Sequence, residues 1–243
     1  YDKVKKTMFP YYKVNDVEGE IVTDQGELLF HQFYTGGLSF SADGKEVYFT
    51  RNESDEKFIK KKQYTKHNIS ADGVNTLGIY KATVNHNQWT DIVHLNFNSI
   101  DYSCMHPSIS SDGNKLFFSS NRIGGFGGYD LYYVQKQNGE WGDAINLGKY
   151  INSLDDEMFP FILNDTTLYF SSNGHIGYGG ADIYYSIKKD RTWQMPVNAG
   201  LPLNSSKDDF ALVFAENDKH GFFGSDRFSD PGKDEIFSFR IIP

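Results

Sequence analysis

Short apolar runs and polar turns alternate along the middle of this chain in a fixed order. Residues 104–150 read CMHPSISSDGNKLFFSSNRIGGFGGYDLYYVQKQNGEWGDAINLGKY, and residues 157–200 read EMFPFILNDTTLYFSSNGHIGYGGADIYYSIKKDRTWQMPVNAG. Each stretch holds an apolar run, a turn (Asp112-Gly113 or Asn164-Asp165), a second run, a Gly-rich loop, a third run and a short last one. In the first stretch the runs are Pro107–Ser110, Lys115–Ser120, Asp130–Gln135 and Ala144–Leu147. These lengths suit strands and not helices. Four consecutive antiparallel strands joined by short turns make one blade of a β-propeller.

The same order recurs with a period. The three tryptophans, Trp89, Trp141 and Trp193, are 52 positions apart, and Asp130, Asp182 and Asp234 keep the same step. Two residue types sharing one period mark an array of similar units. A further unit starts at Gly37 and carries an insertion, roughly residues 53–74, between its second and third strands. Another starts at Phe210 and stops after three strands. The expectation is one all-β domain over residues 1–243, a β-propeller of four-stranded antiparallel blades, with repeats near 36–98, 104–151, 157–203 and 209–243. Residues 1–35 form a leader whose candidate strand, Glu27–Phe33, would help close the ring. Dividing 243 residues by the period predicts five blades, with four or six as alternatives.

Composition narrows the partners. Aromatic residues make up 16% of the chain, as a β-rich interior requires. The net charge of −8 argues against nucleic acid, because neutralising phosphates needs a basic face. The single cysteine, Cys104, excludes an internal disulfide. No segment approaches the roughly 20 apolar residues that cross a bilayer as a helix, so no direct membrane insertion is expected. The chain begins at Tyr1 with neither an initiator Met nor a signal peptide, as a processed or excised piece would.

Recurring residues supply the candidate sites. Trp89, Trp141 and Trp193 precede the fourth strand, where a large flat ring packs between adjacent blades. Asp130, Asp182 and Asp234 open the third strand behind Gly128, Gly180 and Gly232, where a carboxylate accepts loop N–H groups. One such Asp per blade is too few oxygens for calcium, so no metal is expected. Asn98-Ser99, Asn152-Ser153 and Asn204-Ser205 each precede acids: Asp101; Asp155, Asp156 and Glu157; Asp208 and Asp209. In a propeller these loops connect blades beside the channel mouth. Clustered carboxylates there would attract a cationic partner, and His106, at the head of one unit, is counted with this face. Lys60, Lys61 and Lys62 lie in the insertion and form a second candidate contact loop.

No catalytic constellation emerges. His31, His67, His86, His94, His175 and His220 lack metal-ligand spacing. The glycines Gly124, Gly125, Gly127 and Gly128 lead into a strand, so no helix N-terminus is present to hold phosphate. The expectation is a non-enzyme without a cofactor. A glycan-binding or carbohydrate-active propeller remains the alternative, through carboxylates paired across a cleft.

FSADGKEVYFTRN, HPSISSDGNKLFFSSNRIGGFGGYDLYY, WGDAINLGKYINS, FPFILNDTTLYFSSNG and GYGGADIYY resemble, in motif and in order, the TolB-type, WD-like propellers of Bacteroidetes OmpA-family envelope proteins. That group includes the PorE component of the type IX secretion system. The resemblance covers roughly residues 37–239. It implies a periplasmic, outer-membrane-associated scaffold that binds envelope proteins. Peptidoglycan contact would come only through a flanking OmpA-like domain that this stretch lacks. The resemblance carries over no catalytic residues.

Overall fold

The computed structural model describes residues 13–14, 21–22, 35–52, 76–85, 88–215, 219–228 and 234–241. Among them all regular structure is β. Strands β1 (Lys13–Val14) and β2 (Ile21–Val22) form a small antiparallel pair. The first blade follows as β3 (Thr35–Phe40), β4 (Glu46–Asn52), β5 (Leu77–Asn85) and β6 (Gln88–His94). The second has β7 (Cys104–Ile109), β8 (Lys115–Ser120) and β9 (Asp130–Gln137). Its fourth position is split into β10 (Glu140–Trp141) and β11 (Ile145–Asn146), both paired with β9. The third repeats this with β12 (Glu157–Leu163), β13 (Thr167–Ser172), β14 (Asp182–Lys189), β15 (Thr192–Trp193) and β16 (Val197–Asn198). The fourth consists of β17 (Asp209–Phe214), β18 (His220–Ser225) and β19 (Glu235–Arg240).

The described residues therefore form a β-propeller of four blades, where division by the period pointed to five. That division spread the period over the leader and the insertion, whose described residues add no further blade. The leader strand at Glu27–Phe33 and the insertion lie outside the described residues.

Turn chemistry makes the hairpins. Ser41 Oγ donates to Asp43 Oδ1 at 2.7 Å, and that oxygen accepts the Lys45 N–H at 3.1 Å. Ser110, Asp112 and Asn114 repeat the arrangement at 2.6 and 2.9 Å. Gly44 and Gly113 close these turns at φ of 68° and 70°, which glycine adopts without steric cost. In the third blade Asn164 and Asp165 take the left-handed conformation themselves. The Asp165 carboxylate reaches back to accept the Ser111 N–H at 2.9 Å, joining neighbouring turns.

Blades bury their faces on one another. Tyr48 and Ile79 of the first blade share a cluster with Leu116, Phe118 and Trp141 of the second. Phe117 and Leu131 of the second blade meet Ile162, Phe170 and Trp193 of the third, and Ile183 meets Leu212, Phe223 and Phe237 of the fourth. Trp141 stands edge-on to Tyr48 at 6.0 Å and Trp193 edge-on to Phe117 at 6.1 Å, each reaching across a blade boundary. Trp89 instead packs on Phe40 and Phe49 of its own blade. Each buried ring contributes on the order of 3 kcal/mol.

First strands of consecutive blades lie side by side, β3 on β7, β7 on β12 and β12 on β17. Each carries a bulge at one equivalent place: Gly37, His106, Phe159 and Ala211 have φ between 50° and 56°, where the ladder to the second strand slips register. A non-glycine residue there costs on the order of 1 kcal/mol, and the bulge bends the strand.

Candidate functional site

In an antiparallel blade the loop between strands two and three leaves from the same end as the connection to the next blade. One face of the propeller is thus built from residues 95–103, 121–129, 147–156, 173–181 and 199–208. The recurring asparagines sit beneath it. Asn98 accepts the Ile79 N–H at 2.9 Å and donates to the Ile79 carbonyl at 2.8 Å. Asn152 does the same to Leu131 at 2.8 and 3.1 Å, and Asn204 to Ile183 at 2.8 and 2.9 Å. Each amide acts as a single strand residue that extends the ladder of the third strand. Asn152 and Asn204 also donate to Asn146 and Asn198, both at 2.8 Å. Both are buried, and so stand below the mouth they were expected to line.

The acids divide into two sets. Glu157 and Asp209, expected to face a partner, are fully buried. Glu157 accepts the Ser153 N–H at 2.8 Å and the hydroxyls of Ser153 and Ser172 at 2.6 and 2.7 Å. Burial pushes its carboxyl above the ordinary range. Asp209 accepts the Ser205 N–H at 2.6 Å and pairs with Arg227, which also donates to the Pro202 carbonyl at 2.9 Å. Cys104 fills this slot in the second blade, with Arg122 Nη2 3.2 Å from its sulfur. All three open the first strand of their blade opposite the last serine of the second, Cys104 opposite Ser120, Glu157 opposite Ser172 and Asp209 opposite Ser225.

Asp156 and Asp208 clamp the loop before them. Asp156 accepts the Tyr129 N–H and Asp208 the Ala181 N–H, both at 2.8 Å. Their own N–H groups donate to Asn173 Oδ1 at 2.8 Å and Asp226 Oδ1 at 2.9 Å. Asp101, Asp155 and Asp208 are exposed. Arg122, Ser172, Asn173, His175 and Arg227 hold this network together, yet the sequence reading gave them no role. Their signal was present: FSSNR, FSSNGH and FGSDR recur at the end of the second strand.

Asp130 accepts the Phe126 and Gly127 N–H groups at 2.6 and 3.1 Å, and Asn146 Nδ2 at 2.8 Å. Asp182 accepts the Tyr178 N–H and Asn198 Nδ2. Asp234 does not join them. It is exposed, and Glu235 stands opposite Ser225 as Asp182 stands opposite Ser172. The β17–β18 hairpin holds one residue more than the β12–β13 hairpin, so the step of 52 misses the structural register by one. Among the described residues no group of three or more His, Cys, Asp or Glu side chains is placed to hold a metal ion.

His106 stacks on Phe159 with ring centroids 3.8 Å apart, and its backbone N–H donates to Thr50 Oγ1 at 2.9 Å. Burial lowers its pKa to about 3, so the imidazole is neutral. Lys60, Lys61 and Lys62 lie outside the described residues.

No family model matches the chain, and no curated protein matches it. Solved structures do. A putative TolB from Agrobacterium tumefaciens is similar at a TM-score of 0.53 and 13% identity, over 88% of this chain and 61% of that one. An α-L-arabinofuranosidase from Lactobacillus brevis is similar at 0.52 and 10%, over 82% and 69%. A gluconolactonase from Xanthomonas campestris is similar at 0.50 and 12%, over 85% and 61%. This chain thus spans under two thirds of the TolB and gluconolactonase structures. At these identities the likeness is one of fold: an all-β propeller of the kind found in TolB.

Proposed function

We propose that this chain is a non-catalytic protein-interaction scaffold of the periplasm, working in an outer-membrane and peptidoglycan-associated assembly of the PorE-like, type IX secretion kind. The reading is supported chiefly by what the carboxylates of the loop face do. Glu157, Asp209, Asp156, Asp208, Asp130 and Asp182 accept hydrogen bonds from backbone amides. Asp156 and Asp208 fasten blade to blade and the other four tie down their own loops, so the face is held in shape, which lowers the ordering cost of binding a partner. The envelope setting rests on the sequence resemblance, and the TolB likeness agrees with it at the level of fold.

The test is in-situ crosslinking in the source envelope, comparing wild type with Asp101→Lys/Asp155→Lys. Both side chains are exposed, so the double variant should keep its melting temperature. Loss of a specific crosslinked envelope protein is the expected result. An unchanged crosslink pattern overturns this face as the site. Saturable binding of cell-wall oligosaccharides with no protein crosslink transfers the assignment to a glycan-binding propeller.

A further inference from the structure

The same face carries an apolar surface that the scaffold reading does not use. Ile123 is 100% exposed, Leu154 84% and Ile176 99%, with Phe126 and Tyr178 about half exposed beside them. These residues belong to three loops in direct contact. Gly128 N–H donates to the Asp155 carbonyl at 2.9 Å, joining the Ile123 loop to the Leu154 loop. On the other side, a Cβ on Gly174 would fall 1.9 Å from Ser153 Oγ and 3.0 Å from Asp155 Cβ, so the Ile176 loop lies directly against the Leu154 loop. The apolar tips therefore share one surface. The tips are also held, not loose: the Asp130 carboxylate fixes the Phe126 and Gly127 amides, and Asp182 fixes that of Tyr178.

Charge selects the occupant. Asp155 is exposed within the patch and Asp101 on the preceding connection. Of the nearby basic side chains, Arg122 is turned inward, donating to the Phe97 carbonyl and reaching the Cys104 sulfur, and His175 Nε2 lies 2.8 Å from the Ile151 carbonyl. Lys149, over the Tyr150 ring, and Lys207, whose backbone lies against Gly179 of the Ile176 loop, are exposed on this face, where the exposed acids Asp101, Asp155 and Asp208 outnumber them. An exposed apolar surface edged by acid complements apolar side chains flanked by Lys or Arg. It opposes an anionic bilayer, as does the net charge of −8.

We infer that Ile123, Phe126, Leu154, Ile176 and Tyr178 form a docking surface for a basic, apolar segment of a partner protein. The inference rests on the scaffold reading and names the chemistry of its partner. The test uses labelled twelve-residue peptides of alternating Leu and Lys, Leu and Glu, or Ser and Lys, with fluorescence anisotropy as readout. The Leu/Lys peptide should bind at least tenfold more tightly than the other two. Ile123→Ser/Leu154→Ser/Ile176→Ser should weaken it at least tenfold without moving the melting temperature, and Val93→Ser, on the outer strand of the first blade, should leave it unchanged.

Equal binding by wild type and triple variant overturns the inference. So does tip-dependent binding to phosphatidylglycerol vesicles without peptide binding, which assigns the patch to lipid. A concentration-dependent dimer that the triple variant abolishes assigns it to a second copy of this chain. The two proposals fail separately. If crosslinks are lost in Asp101→Lys/Asp155→Lys but kept in the tip variant, the scaffold reading stands and this inference falls. Tip-dependent peptide binding with unchanged envelope crosslinks does the reverse.

Discussion

His106 and Phe159 stack with ring centroids 3.8 Å apart and planes 25° from parallel. They occupy the same bulge in consecutive first strands, at φ of 56° and 52°. The pair continues through Phe159 to Phe210 at 5.4 Å, so the inner strands of three blades are joined by a row of rings. An imidazole in such a row is held as an aromatic spacer and stays neutral.

That neutrality sets a pH dependence. The His106 pKa falls from 6.5 to about 3 through burial, so on acidification the unfolded chain takes up the proton first. Its contribution is complete above pH 6.5 and is lost as pH falls towards 3, at roughly 1 kcal/mol per pH unit. His106→Phe should remove this component. Urea denaturation at pH 7, 6, 5 and 4 measures it; parallel profiles for the two proteins would show that His106 does not titrate as stated.

Glu157 works in the opposite sense. Burial raises its carboxyl above the ordinary value of 4.5, so the folded state keeps a proton that the unfolded chain has released. Stability from this group declines as pH rises from 4.5 through the folded value. Glu157→Gln should flatten that decline in the same titration, with no effect on the His106 component.

Asn152 tests the ladder extension. Asn152→Ala leaves the Leu131 N–H without its partner inside a buried junction, while the Leu131 carbonyl keeps the Leu147 N–H at 3.0 Å. The expected cost is about 1–3 kcal/mol, read from the guanidinium midpoint. Asn114→Ala, in an exposed turn, should stay within about 0.5 kcal/mol of wild type.

Two glycines separate crowding from backbone conformation. A Cβ on Gly127 would lie 2.0 Å from the Asp155 carbonyl oxygen, so Gly127→Ala must push two loops apart. Gly113 has open space but a φ of 70°. Thermal melts should show Gly127→Ala losing about 1–3 kcal/mol and Gly113→Ala about 1 kcal/mol. Only Gly127→Ala should also weaken Leu/Lys peptide binding at the Leu154 surface.

Much of the repeat was readable because its causes are local. Ser-x-Asp-Gly builds the hairpins of the first two blades from atoms within five residues of one another. The bulges left no such trace, because His106 and Phe159 carry positive φ without being glycine. Asp234 followed the period and still missed its slot, since one extra residue in a hairpin shifts every later position. Periodicity found the Asn-Ser-acid loops but not where their side chains point. Asn, Asp and Ser suit a solvated loop and a backbone clamp equally well, and the choice depends on amides of the preceding blade.

By itself, then, the sequence determined the β class, the four-strand unit, the hairpin turns and the recurrence of the loops, all products of short-range sterics and alternating polarity. The tertiary structure alone decided that four blades are present among the described residues, that Glu157 and Asp209 turn inward, and that Ile123, Leu154 and Ile176 share a surface. Those outcomes depend on contacts between blades some 50 residues apart, where a one-residue change in loop length or a single available N–H redirects a side chain from solvent to core.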